Sequence, residues 1–191
     1  MAKLYFRYGA MNCGKTTLLL QTAYNYEERG MKVLIFKPKI DTKGDNTVVS
    51  RLGITRNIDY LLSADDMISN YLDESNLPAA IIVDEAQFLT SKQVDDLYII
   101  SKKLNIPVLT YGLRNDFLMH TFEGAARLLA LADSIEELKT ICRCGRKATQ
   151  NMRLLNGKPV FKGESVLIDG TSNIVYESVC GKCYLEKRGM I

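Results

Sequence analysis

Eight residues near the start of the chain, Gly9-Ala10-Met11-Asn12-Cys13-Gly14-Lys15-Thr16, set two glycines around four residues and follow them with Lys and Thr. That spacing is the pattern of a loop whose successive backbone N–H groups cradle the phosphates of a nucleoside triphosphate. Gly14 lets the main chain approach closely, and Lys15 would reach the β and γ phosphates. Thr16 would present its hydroxyl to Mg²⁺, which bridges those phosphates and offsets charge as the γ group leaves. Cys13 reads as a small filler, since nothing in this chemistry requires a thiol; a redox role is the alternative.

A second reactive pair, Asp84-Glu85, follows the apolar run Ala80-Ile81-Ile82-Val83. Carboxylates at the carboxyl end of a buried strand, beside the neighbouring strand that delivers the phosphate loop, suit two tasks. Asp84 can hold the metal's water shell, and Glu85 can face an incoming acceptor hydroxyl as its base. An alkyl alcohol with a pKa near 15.7 and an ordinary carboxylate near 4.3 differ by roughly 11 units, or about 15 kcal/mol. Glu85 must therefore orient the hydroxyl and take its proton late, in step with a loose phosphoryl-transfer transition state. An ATPase or helicase could carry the same Asp-Glu with water as nucleophile, and the two loops alone do not separate these.

The remaining four of the five cysteines form two close pairs, Cys142-x-Cys144 and Cys180-x-x-Cys183. Four soft thiolates suit tetrahedral Zn²⁺, and with every position filled by protein the metal would be structural, contributing on the order of 10 kcal/mol of folding energy. Disulfides are the alternative in an oxidising setting.

The elements that must position these groups alternate along the chain. A strand is expected at Leu4 to Tyr8, a helix from about Lys15 to Glu28 ended by Gly30, and strands at Val33 to Phe36, Ala80 to Val83 and Val108 to Tyr111. Helical length and amphipathic spacing mark about Ser91 to Lys103 and Phe122 to Ala132. This βαβ alternation implies an α/β fold, a parallel sheet covered by helices on both faces, with ligands at the carboxyl ends of the strands. The polar stretch Asp41 to Arg56 reads as a long mobile loop. After about Ile141 short segments punctuated by Cys, Gly and Asn read as a small zinc-binding domain, so the expected division is 1–138 and 139–191.

With 47% hydrophobic and 25% charged residues and four prolines, the composition is ordinary for a globular chain. A net charge of +3 with acids interspersed among the bases argues against a nucleic-acid partner. No apolar run reaches the roughly 18 to 20 residues of a membrane span, and Met1-Ala2-Lys3 does not open a signal peptide, so no membrane partner and a cytoplasmic location are expected. His120, the single histidine, sits in Leu118-Met119-His120-Thr121, which offers no nucleophile elbow, and reads as a surface or loop residue. Tyr5, Tyr8, Tyr24 and Tyr26 read as packing residues, and Lys37-Pro38-Lys39 as a solvated strand end.

Taken together these residues resemble the thymidine kinase family found in many bacteria and in the animal cytosol. The resemblance runs nearly end to end: Gly9 to Thr16, Phe36-Lys37-Pro38 with Asp41, Asp84-Glu85-Ala86-Gln87-Phe88, and Tyr111-Gly112-Leu113-Arg114-Asn115-Asp116-Phe117. Leu138-Lys139-Thr140-Ile141-Cys142 and Tyr176-Glu177-Ser178-Val179-Cys180 complete it. It implies a P-loop (RecA-like) fold and transfer of the ATP γ-phosphate to the 5′-hydroxyl of thymidine or deoxyuridine, giving a monophosphate for DNA precursor salvage. It further implies Mg²⁺, a structural Zn²⁺ held by Cys142, Cys144, Cys180 and Cys183, and a homotetramer. Glu85 matches the family's general base. ATP would contact Gly9, Ala10, Met11, Asn12, Cys13, Gly14, Lys15 and Thr16 together with Asp84, Glu85, Ala86 and Gln87. Met11, Asp41, Phe88, Phe117, Phe122 and Tyr176 match positions around the nucleoside, and the loop from about Gly163 to Tyr176 would close over it. Aromatic walls suit a flat base, though a single methyl group discriminates by only about 1 to 3 kcal/mol.

Lys43 stands where the family often has Arg, and an ammonium cannot form a bidentate phosphate fork. Ile168-Asp169-Gly170-Thr171-Ser172-Asn173 replaces a shorter run with paired glycines. The rival to a kinase is a P-loop ATPase or motor gripping nucleic acid through its zinc module, which would be expected to show a basic groove. A GTP-binding switch is a further alternative, and the chain lacks the Asn-Lys-x-Asp motif of such proteins.

Overall fold

A computed structural model describes residues 1–39, 47–50, 53–163 and 173–191. In chain order its elements are β1 (Leu4–Gly9), α1 (Lys15–Glu27), β2 (Val33–Pro38), β3 (Thr47–Val49), β4 (Thr55–Asn57), β5 (Tyr60–Leu62), β6 (Ala80–Val83) and α2 (Ser91–Lys103). There follow β7 (Val108–Gly112), α3 (Glu123–Leu131), β8 (Ser134–Leu138), β9 (Thr140–Ile141), β10 (Lys147–Ala148), β11 (Gln150–Leu155), β12 (Lys158–Val160), β13 (Ile174–Val179) and α4 (Gly181–Arg188).

Successive strand side chains point to opposite faces of a sheet, so an apolar run fully buried on both faces needs cover on both. That is what happens here. Leu4, Phe6, Leu34, Phe36, Ile81, Val83 and Val108 cluster with Val94, Leu97 and Ile100 of α2 and Ala125 and Leu128 of α3. Their alternates Val33, Ile35, Ala80, Ile82, Leu109 and Tyr111 cluster with Leu19, Leu20 and Ala23 of α1. The sheet has six strands in the order β5-β2-β6-β7-β1-β8, every neighbouring pair parallel. The expected parallel α/β sheet with helices on both faces is therefore present.

Several local readings change. β7 is inserted between β1 and β6, so the strand carrying Asp84 is not the neighbour of the strand carrying the phosphate loop but the next one over. Strand order depends on how the crossovers pack, which no local pattern encodes. The stretch Asp41 to Arg56, expected as irregular, contains an antiparallel hairpin of β3 and β4 with Thr47 opposite Asn57. Val48 is buried against the α1 face, and Arg56 pairs with Glu27 and Asp59, which anchors a strand too short to show a period. Residues 41–46 and 51–52 of that stretch lie outside the described residues. The edge strands β5 and β8 are also additions to the sequence reading. Tyr24 is mostly exposed on α1 and so does not serve the packing role expected of it.

The main sheet ends at Leu138, and residues from Thr140 onward build the hairpin β9-β10, the antiparallel sheet β12-β11-β13, and α4. Cys142, Ala148, Met152, Val179, Cys180 and Tyr184 form their own apolar cluster. The Tyr184 hydroxyl donates to the carbonyl of Phe117 at 2.7 Å, tying this unit to the loop after β7.

Candidate active site

The phosphate loop leaves the end of β1 and enters α1 through Gly14, whose φ of 84° lies in the left-handed region that favours glycine. Gly9 is small for a different reason. A Cβ there would come within 2.5 Å of the Cys13 Sγ and 2.6 Å of the Leu138 carbonyl oxygen, so the thiol occupies the space a side chain would need. Lys15 Nζ folds back over the loop, donating to the Ala10 carbonyl at 3.0 Å and lying 3.7 Å from the Cys13 sulfur. No side chain caps α1 and its first turn carries no acid, which leaves the positive end of the helix dipole for an anion. An open cavity of about 740 Å³ lies here, lined by Met11, Asn12, Gly14, Lys15, Thr16 and Thr17 of the loop and helix start. Leu18 and Gln21 of α1, Val49 of β3, Glu85 and Leu113 complete the wall.

Across the cavity β6 delivers the acidic pair. Asp84 is buried, and that burial, reinforced by the charge of Glu85, pushes its carboxyl up to about 7, while Lys37 and Lys15 pull the other way. Lys37, read from sequence as a solvated strand end, is thus part of the electrostatics of this site. The signal was its register: Phe36 on β2 pairs with Val83 on β6, which sets the next residues, Lys37 and Asp84, side by side at the carboxyl end of the sheet. Glu85 turns into the left-handed region at φ 49°, with its N–H donating to Asp84 Oδ1 at 3.0 Å. The chain then makes a single 3₁₀ turn, Ala86–Phe88. Gln87 Nε2 donates to Glu85 Oε2 at 2.6 Å. Ala86 and Gln87 are buried. The turn is held between two glycines: a Cβ on Gly112 would lie 2.7 Å from Gln87 Oε1, and one on Gly124 would lie 2.6 Å from the Ala86 carbonyl oxygen.

The residues expected around a nucleoside fall into two groups. Phe117 and Tyr176 cluster with Ile174, and Met11 and Leu118 pack against them. Phe88 and Phe122 form an edge-on aromatic pair at 5.4 Å between centroids. Asp41 lies outside the described residues, as does most of the expected closing loop, residues 164–172. Three polar residues escaped sequence reasoning. Arg153 on β11 is buried with its guanidinium 3.6 Å over the Phe117 ring, and its Nε donates to the Tyr176 hydroxyl at 2.8 Å. Asn151 accepts the Met11 N–H at 2.8 Å through Oδ1 and donates to the Asn115 carbonyl at 3.2 Å. Ser178 donates to the Met11 carbonyl. Both amide groups of one phosphate-loop residue are therefore held by the small unit. His120 is largely exposed and 3.8 Å from Asp116, in keeping with a loop histidine.

The sulfurs of Cys142, Cys144, Cys180 and Cys183 lie within 4.8 Å of one another, with Cys144 and Cys180 3.6 Å apart. Tetrahedral thiolates at 2.3 Å from a zinc ion sit about 3.8 Å from each other, so the four sulfurs are gathered on the scale that such an ion requires. All five cysteines are free thiols, so no disulfide is formed. Cys142 enters from the turn closed by Gly145, and Cys180 caps α4, accepting the Cys183 N–H. The Arg146 N–H and hydrogen bonds from Cys183 and Cys142 hold the Cys144 thiol down at about 6. Its partner Cys183, hydrogen-bonded to Cys144 and Cys180, is pushed up to about 12. Without a cation these thiols share protons among themselves; a divalent ion would take the protons' place.

The family model described as Thymidine kinase matches residues 2–184. This chain belongs to the thymidine kinase family. Curated thymidine kinases similar to it include that of Legionella pneumophila (strain Lens), 49% identical over 99% of this chain and 91% of the relative. That of Francisella tularensis subsp. tularensis (strain SCHU S4 / Schu 4) is 46% identical over 97% of this chain and 98% of the relative. That of Coxiella burnetii (strain RSA 493 / Nine Mile phase I) is 45% identical over 95% and 94%. Membership of the thymidine kinase family makes the chain an enzyme, a kinase, and sets aside the motor and GTP-switch alternatives. Among the described residues no helix is long and apolar enough to cross a membrane.

Proposed function

We propose that this chain transfers the γ-phosphate of ATP to the 5′-hydroxyl of thymidine, and of deoxyuridine, yielding the 5′-monophosphate for DNA precursor salvage. The observation that carries this reading is a single cavity whose wall joins Gly14, Lys15 and Thr16 to Glu85. A phosphate cradle and a carboxylate across one open space are what a donor phosphate and an acceptor hydroxyl require.

The loop Gly9 to Thr16 would hold the triphosphate, with Lys15 released from the Ala10 carbonyl onto the phosphates. Thr16 and Asp84 would hold Mg²⁺, directly and through its water shell. The ion supplies charge neutralisation as the γ group leaves. An Asp84 carboxyl near 7 fits this role, because a nearby cation favours its ionised form. Glu85 would orient the hydroxyl and accept its proton late in transfer. Phe88 and Phe122, Met11, Phe117 and Tyr176, with Asp41, would enclose the nucleoside. Arg153 covers one face of Phe117, so that ring would support the pocket more than stack freely on the base. Residues 139–191 would form a unit held by structural Zn²⁺, and the enzyme would work as a cytoplasmic homotetramer without nucleic-acid or membrane partners.

The test is ATP consumption with thymidine, deoxyuridine, deoxycytidine, single-stranded DNA or no acceptor. Thymidine-dependent monophosphate formation is the expected outcome; hydrolysis stimulated by DNA without a nucleoside product would overturn the reading. Glu85→Gln should lower kcat by at least 100-fold while changing the ATP KM by less than about threefold, since general-base removal typically costs 10²–10⁴. Equal losses in both would give Glu85 a binding role instead.

A further inference from the structure

The carboxylate expected to act as base does not stand alone. Gln87, two residues on, is about 1% exposed, and its side-chain amide spans two partners. Oε1 accepts the Leu113 N–H at 2.9 Å, and Nε2 donates to Glu85 Oε2 at 2.6 Å. The orientation of this amide follows from chemistry. A backbone N–H can only donate, so Leu113 requires the amide oxygen on its side, which turns the NH₂ group onto Glu85. Gly112 provides the seat, since any Cβ there would come within 2.7 Å of Gln87 Oε1 and 3.0 Å of the Gln87 nitrogen.

We infer that Gln87 is a positioning residue for Glu85: it occupies one carboxylate oxygen and leaves the other for the acceptor hydroxyl. The inference rests on the kinase reading above. Glu85 is held in a left-handed backbone conformation with its side chain at the wall of an open cavity. A carboxylate so placed has water and the Lys15 side of the cavity as competing partners. A fixed neutral donor removes those choices without neutralising the base. Because the same amide grips Leu113, the aim of Glu85 is referenced to the end of β7, from which the chain runs directly to Asn115, Asp116 and Phe117. The base and the nucleoside side of the site are thereby set by one buried group.

Four proteins are compared in steady-state kinetics with ATP and thymidine: the parent, Glu85→Gln, Gln87→Met and the double variant. Gln87→Glu is a second probe that keeps an acceptor for Leu113 and replaces the neutral donor to Glu85 by a second carboxyl, which either repels the base or shares its proton. Gln87→Met and Gln87→Glu should each lower kcat by 10-fold or more, with the ATP KM within threefold of the parent. The double variant Glu85→Gln/Gln87→Met should be no slower than Glu85→Gln alone, because a positioning residue has nothing left to position. A tenfold rise in ATP KM with kcat preserved would make Gln87 a donor-site contact and overturn the inference. So would losses that multiply in the double variant, which mark a separate structural role. Circular dichroism and thermal melting identify a misfolded Gln87→Met, and Gln87→Glu then carries the decision. Full activity of Glu85→Gln would overturn the inference too, since Glu85 would then be no base to position; inactivity of the parent toward thymidine would instead sink the underlying kinase reading.

Discussion

Asp84 is a carboxyl group placed where its charge is expensive. Its pKa is raised from 3.8 to about 7, first by burial and then by the charge of Glu85. The folded protein therefore binds a proton that the unfolded chain releases above pH 3.8, and stability falls as pH rises from about 4 to about 7. The loss is complete above the folded value. At about 1.4 kcal/mol per unit it amounts to a few kcal/mol. Asp84→Asn should raise the Tm of the nucleotide-free protein by several degrees at pH 8 and change it little at pH 4, measured by thermal scans. The same change should cut kinase activity sharply, since the ionised group is the one proposed to serve the metal. Lys15→Ala offers the opposite profile. Its two contacts, with Ala10 and Cys13, lie inside its own loop, so melting should move by only a degree or two. Loss of ATP binding by calorimetry should be near complete.

At the level of elements, the Glu85 turn is placed by what packs on it. α3 approaches through Gly124, whose missing Cβ leaves room for the carbonyls of Ala86, Leu89 and Gln87 at 2.6, 2.7 and 3.0 Å. Gly124→Ala must push helix and turn apart, and overpacking of this kind costs roughly 1–3 kcal/mol. Chemical denaturation should show that loss together with a reduced kcat. Gly181→Ala in the first turn of α4 is the control: a Cβ there meets nothing within 4 Å, and Ala is favoured in a helix. It should be neutral or slightly stabilising. α2 begins more conventionally, with Thr90 and Gln93 exchanging hydrogen bonds across a capping box while Gln93 also holds the Ser63 and Asp66 carbonyls.

For the molecule as a whole, the cysteine cluster and the phosphate loop are mechanically joined. Asn151 and Ser178 hold Met11, and Tyr184 holds the Phe117 carbonyl, all from the unit built around the four thiols. Removing zinc with a strong chelator should therefore lower Tm and abolish kinase activity, although no thiol of the set touches the cavity. Cys144→Ser, at the exposed corner of the cluster, should lower bound zinc by metal analysis and reproduce part of that loss. Retention of full stability in metal-free protein would show that the thiol cluster needs no ion.

The sequence by itself determined whatever depends on neighbours along the chain. Gly9 to Thr16 announced a phosphate loop because eight consecutive residues make it. Ala80–Val83 and Ser91–Lys103 were legible to the residue, one as an unbroken buried run, the other by its amphipathic spacing. The paired spacing of Cys142, Cys144, Cys180 and Cys183 likewise declared a cluster. Tertiary structure decided what depends on packing between distant segments. β7 stands between β1 and β6 because crossovers choose their edge only once the helices pack. β8, Ser134–Leu138, is a half-exposed edge with two glutamates and carries no buried run to read. Asn151, Arg153 and Ser178 are ordinary polar letters in a strand until folding brings Met11, Phe117 and Tyr176 against them. Gln87 is the clearest instance. Its type, its place in the motif and its nearness to Glu85 were visible at once, but Leu113, the partner that fixes which end of the amide faces Glu85, reaches it only when β6 and β7 lie side by side.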